Sequence, residues 1–264
     1  AVPTGSAKKS EQHLLHCSGT YTPPPFNEVF SPILFQEGIV EHESSENDLL
    51  DSIKTAKTAF KLKNIGSAHN SVGDGSSDGV GSSQIMQICH TFNANNQNGC
   101  PPDNTLAISS DGFIVSIVNF NIFMYRETGK LLSVTSFADY FGWLGAGDFL
   151  CDPKVLFDPV AGRFIMFVQE CSGSSQNSNI IMAFSSSSDP TQFWYFYTFP
   201  GNILGNGTWF DYPRLAVNWH EVYVTGNLFK DNGGGFNQAI LFQIEKDNAF
   251  SGGSINYQLW YDIP

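Results

Sequence analysis

The sequence predicts an all-β fold, a β-propeller of four-stranded antiparallel blades with about three blades in this chain. Three observations predict it. An aspartate followed by a short apolar run, a polar turn and a longer β-rich run recurs at Asp103, Asp152 and Asp211, at intervals of roughly 50 to 60 residues, close to the blade period of propellers. Aromatic residues make up 14% of the chain and charged residues no more than that, a balance that favours strands and turns over helices. Turn dipeptides such as Asp111-Gly112 and Thr128-Gly129 fall between the runs, where hairpins need them.

In chain order, residues 1–44 lack sustained periodicity and carry Pro23, Pro24 and Pro25, which predicts an extended N-terminal arm. Residues 45–83 read as one short amphipathic helix followed by a Gly/Ser-rich linker. Leu49, Ile53, Ala56 and Phe60 recur at helical spacing, and Ser45 with Asp48 has capping-box form. Asp74 and Asp78 lie in the linker without the ligand order of a calcium loop.

Residues 84–264 read as strands. A candidate closing strand at 84–92 precedes three blades at about 103–137, 152–199 and 211–261. The first set of strands is expected at 105–109, 113–119, 122–126 and 131–137. The second is expected at 154–157, 163–169, 179–185 and 193–199, and the third at 214–218, 221–228, 239–245 and 255–261. Four antiparallel strands per repeat make one propeller blade. Three blades do not close a ring, since propellers typically need four to eight. The reading therefore calls for further sequence, a partner chain that completes the propeller, or an open array with covered edges.

The formal charge of −12 argues against general nucleic-acid binding, which needs a basic footprint. No run of 18 apolar residues occurs, so membrane insertion by a helix is not expected. Cys89 with Cys100 and Cys151 with Cys171 bracket short segments, as two local disulfides of a secreted or cell-surface protein would. Buried thiols are the alternative, and Cys17 is left over. Asn206-Gly207-Thr208 has the form of a glycosylation acceptor.

Site candidates follow from the repeat. Asp103, Asp152 and Asp211 are expected at one end of successive inner strands, with three readings: caps of turns, oxygen ligands for calcium, or the carboxyl pair of a glycoside hydrolase or lyase. Trp143 and Trp209 sit in Gly-containing stretches before a repeat aspartate and are the ligand-stacking candidates. The crowd of aromatics at 193–199 is expected to pack between blades.

The stretch SSSSDPTQFWYFY, residues 185–197, resembles the Asp-box of sialidase-like propellers, although Pro190 follows Asp189 where the usual Gly is missing. In that family the box braces the turn between the third and fourth strands, so the resemblance implies a fold-keeping role for Asp189 and Trp194. More broadly, residues 100–261 resemble the blades of large secreted or cell-surface propeller proteins. The combined expectation is an extracellular module for binding, adhesion or assembly, with a glycan or protein partner. The alternative is a propeller-fold glycoside hydrolase or lyase.

Overall fold

A computed structural model describes residues 9–25, 91–95, 103–146 and 149–263, all within the unit formed by Ala1–Leu34 and His90–Pro264. The expected helix and linker at 45–83, the Cys89–Cys100 pair and most of the candidate closing strand lie outside the described residues. Residues 91 and 92, the end of that strand, are irregular.

The described chain is mostly antiparallel β, in three sheets. β3 (Thr105–Ile108), β4 (Phe113–Val118), β5 (Asn121–Arg126) and β6 (Leu131–Ser136) form the first, in that order. The second runs β7 (Leu150–Asp158), β8 (Arg163–Glu170), β9 (Asn179–Ser185) and β10 (Trp194–Pro200). The third runs β11 (Thr208–Val217), β12 (Glu221–Lys230), β13 (Phe236–Glu245) and β14 (Ile255–Ile263). Each is a meander whose hairpins turn at residues suited to it. Gly112, for example, takes φ +82° between β3 and β4, while Ser109 Oγ donates to Asp111 and accepts from Phe113 N.

Two apolar layers hold the sheets together. Val115, Ile117 and Met124 of the first sheet meet Phe164, Met166, Trp194 and Phe196 of the second. The opposite face of the second sheet, through Phe167, Met182, Tyr197 and Phe199, meets Phe210, Val224, Phe242 and Leu259 of the third. The aromatics of β10 thus split between the two layers by alternation, as period-2 side-chain geometry requires. A short helix, α1 (Phe137–Phe141), is capped by Ser136 Oγ, which accepts from Asp139 N, and adds Phe137, Tyr140 and Phe141 to the first layer.

Sequence reading did not find strands in the N-terminal arm. β1 (Lys9–Leu15) pairs antiparallel with β14, and β2 (Gly19–Tyr21) pairs with β10. Ser133 Oγ of β6 then donates to Pro24 O at 2.6 Å. The arm therefore crosses the outer edges of the third, second and first sheets in turn. It covers edges that would otherwise offer unpaired backbone groups to other chains. The arm was illegible because its pairing partners lie about 180 to 250 residues away and its own pattern is polar.

The first strands of the second and third sheets are also longer than expected. Both β7 and β11 begin before their repeat aspartate region ends and absorb it in a bulge, between Cys151 and Lys154 and between Asp211 and Arg214. No described helix is long and apolar enough to cross a membrane.

Candidate functional site

The bulges define the candidate site. β7 lies between β3 and β11, and Val155 N donates to Thr105 Oγ1 at 3.3 Å. Residues just before the regular part of each first strand therefore meet at one end of the three strands. Asp103, Asp152 and Tyr212 take left-handed φ values of +37°, +52° and +57°, a conformation that Asp and Asn tolerate better than most residues.

Register corrects the repeat alignment. Thr105, Lys154 and Arg214 pair with Ile117, Phe167 and Thr225. The residue two places before each is Asp103, Asp152 and Tyr212, so Asp211 is the counterpart of Cys151 and not of Asp152. The same register makes Asn119, Gln169 and Asn227 equivalent at the end of the second strand. The repeat is better written as an aspartate or tyrosine of left-handed backbone opposite an amide.

The amides organise the acids. Asn119 Nδ2 donates to Asp103 Oδ2 at 2.7 Å. Gln169 Nε2 donates to both Asp152 Oδ2, at 2.9 Å, and Asp211 Oδ1, at 2.7 Å. Asp211 Oδ1 also accepts from Tyr212 N at 2.8 Å. Gln169 is fully buried, and its Oε1 has no hydrogen-bond partner among the described residues. Asp152 and Asp211 are thus brought together about one amide, while Asp103 is held separately by another.

Burial pushes the Asp152 carboxyl up to about 7, and the charges of Asp211 and then Asp103 add to it. Near neutral pH this pair accommodates a proton that an ordinary carboxylate would release. The Lys154 ammonium beside it is itself lowered, chiefly by burial and against the pull of Asp152. Cys151 and Cys171 form a disulfide with Cα atoms 5.9 Å apart, and Gln169 Nε2 lies 3.5 Å from Cys171 Sγ. Cys17 is free. Cys151, Asp152 and Cys171 bring donor atoms within 4.8 Å of one another. The disulfide leaves neither sulfur as the thiolate that metal ligation needs.

The two candidate tryptophans sit in different surroundings. Trp143 is 43% exposed, donates through Nε1 to Tyr140 O and stands edge-on to Phe196 at 5.3 Å. An added Cβ at Gly19 of the arm would come within 2.8 Å of its ring, so one side of the indole carries the arm. Trp209 lies over Phe229 at 5.2 Å, and Phe229 also contacts Phe236 and Tyr212. Trp209, Phe229 and Phe236 occupy one cross-strand row of the third sheet. Phe236 and Tyr212 are 52% and 61% exposed.

Asp189 and Trp194 both brace the turn between β9 and β10. Asp189 Oδ1 accepts from the N and Oγ1 of Thr191 at 2.9 and 2.7 Å, and buried Trp194 donates through Nε1 to Pro190 O at 2.8 Å. Sequence reading missed Asn119 and Gln169 because each ends an otherwise apolar strand, where a lone amide attracts no attention. Aligning the repeats by their second strands would have exposed both. No family model matches this sequence, and no curated protein or solved structure is significantly similar to it.

Proposed function

We propose that the chain is a secreted or surface-displayed module of β-propeller type, an array of three consecutive blades that binds an extracellular glycan or protein through its open third sheet. The observation that carries this reading is the aromatic row Trp209, Phe229 and Phe236 on the face of the third sheet turned away from the second. The second sheet has both faces packed. The far face of the first carries Phe123, Tyr125 and Val134 at 5–8% exposure, with Phe92 against Tyr125 and Asn95 hydrogen-bonded to Ser116. Exposed aromatics grouped on one surface mark binding sites more often than scattered ones do. The Cys151–Cys171 disulfide suits an oxidising compartment. Calcium is the cation that suits the oxygen ligands of Asp152 and Asp211, and it would compete there with the proton. The test is binding to immobilised polysaccharides and extracellular-matrix proteins: Trp209→Ala is expected to abolish capture while leaving the fold intact, and unchanged capture would sink the reading.

A second reading rests on Asp152. A carboxyl raised to about 7 beside Asp211 is the kind of acid that glycoside hydrolysis uses. Under this reading Asp152→Asn removes turnover of a glycan substrate. Under the binding reading the same variant keeps full capture.

A further inference from the structure

The face of the third sheet that carries the aromatic row changes character towards its other end. Tyr223, Gln243, Gln258 and Gln12 stand side by side across four strands, β12, β13, β14 and β1. The next row holds Glu221, opposite Glu245. On the other side of the amide row, Trp260 sits between Leu241 and Ser10. All of these but Tyr223, Leu241 and Ser10 line a groove of about 270 Å³, together with Asn256 and Tyr257, a little under the roughly 300 Å³ at which drug-sized ligand pockets begin.

Two properties set this surface apart from the packed faces. The layers between sheets are built from apolar side chains, whereas the groove is lined mainly by amides and carboxylates. Packing another apolar blade on it would bury those groups without partners and leave their desolvation uncompensated. The lining is also partly preorganised. Trp260 Nε1 donates to Gln243 Oε1 at 3.0 Å, Gln243 Nε2 donates to Glu221 Oε1 at 2.6 Å, and Tyr223 OH donates to the other Glu221 oxygen. The hydrogen bonds from Tyr223 and then Gln243 hold the Glu221 carboxyl below its usual range, so it is ionised and accepts only. Glu245 Oε2 accepts from Asn256 Nδ2 at 2.9 Å. The side-chain amides of Gln12 and Gln258 make no hydrogen bond among the described residues.

We propose that this groove binds a neutral oligosaccharide. The proposal rests on the binding-module reading above and gives that module a site of its own, separate from the Trp209 row. Sugar hydroxyls both donate and accept, which matches free amides beside carboxylate acceptors. The indole of Trp260, pinned by its Gln243 bond, offers an apolar surface for a sugar ring. Glu221 and Glu245, with no Lys, Arg or His among the described lining residues, repel anionic ligands such as uronic-acid polymers or phosphates.

The experiment titrates the full chain with cellotriose, maltotriose, mannotriose and chitotriose, and with a hyaluronan tetrasaccharide as the anionic probe. Calorimetry and tryptophan fluorescence give the readout. One or more neutral trisaccharides are expected to bind, with affinity falling about tenfold or more in Gln258→Ala and in Glu245→Ala, both exchanged at the surface and checked for fold by circular dichroism. Leu106→Ala, an exposed change on the first sheet away from the groove, is expected to keep that binding. Equal binding of the hyaluronan probe, or undiminished binding in both groove variants, overturns the proposal. Glycan binding lost in Trp209→Ala but kept in Gln258→Ala overturns the groove and leaves the module reading standing. Absence of binding to every trisaccharide overturns the groove, and the module reading then falls or stands on the matrix-protein panel. A dimer in sedimentation that Gln258→Arg disperses also overturns it, because a second copy would then be the occupant.

Discussion

Lys246 Nζ and Asp158 Oδ2 stand 2.5 Å apart across the boundary between the second and third sheets, with both side chains 1% exposed. The lysine also donates to Asn218 O, and Asp158 Oδ1 accepts from the backbone N–H of Val160 and Ala161. One ion pair thus ties the first hairpin of the second sheet to two loops of the third. Both charges are out of water, so their worth depends on staying together.

Lys246→Met leaves the Asp158 carboxylate buried and unpaired, and the expected loss is about 3–5 kcal/mol. Adding Asp158→Asn should recover part of it, since the amide carries no charge and its oxygen still accepts from Val160 N. Urea unfolding of the two variants checks this. A single variant as stable as the parent would mean that water reaches the pair.

Gly226 lies in the layer between the second and third sheets, where an added Cβ would collide with the Phe210 ring and come within 2.8 Å of Asp211 O. Its φ is ordinary, so the constraint is space and not backbone conformation. Gly226→Ala is expected to cost about 1–3 kcal/mol by overpacking, and Gly226→Ala with Phe210→Leu to cost less than the two changes added. Thermal unfolding of the four proteins measures that coupling.

The arm depends on a different glycine. Gly19 has φ +150° and sits against the Trp143 ring, so Gly19→Val is strained in its backbone and collides with the indole. The expected result is release of β2 from β10 and faster proteolysis of residues 16–25, with a red shift of Trp143 emission, while the three sheets persist. Unchanged cleavage would show that β1 alone holds the arm in place.

Most of the three-sheet pattern was legible because each strand is short, alternating and bounded by its own turn, as at Asp111-Gly112. What was not legible depends on distance in the chain. His13 stacks on Tyr257 at 4.8 Å, and nothing in the polar run around His13 announces a strand whose partner is so remote. The acid pair shows the same division. The spacing of the repeat pointed to Asp152 and Asp211, but the one-residue offset between them is a product of bulge register. Gln169, which joins them, became visible only when register placed it opposite the bulge. The Gln12, Gln243 and Gln258 row needs three strands to assemble, and none of its members stands out alone.

In the folded chain Asp152 is raised to about 7, by burial first and then by Asp211 and Asp103, whereas in the unfolded chain it titrates near pH ~3.9. Between about pH 4 and 7 the folded state therefore keeps a proton that the unfolded state has lost. This group's contribution makes stability fall as pH rises through that window and level off above it. Asp152→Asn removes the fall, so the variant should match the parent near pH 4 and exceed it at pH 8. The expected gain is on the order of 1–2 kcal/mol after discounting for partial exposure, or roughly 2–4 °C in Tm for each kcal/mol. Calcium acts on the same pair from the other side, since it needs the ionised form and relieves the repulsion that raises the carboxyl. The buried Gln169 Oε1 becomes a further ligand if the amide turns over. At pH 8, millimolar calcium should raise the Tm of the parent and leave Asp152→Asn unchanged, and at pH 5 it should do nothing to either. A parent Tm indifferent to calcium at pH 8 would leave the proton as the pair's only ligand, and a pH profile unchanged in Asp152→Asn would remove the proton as well.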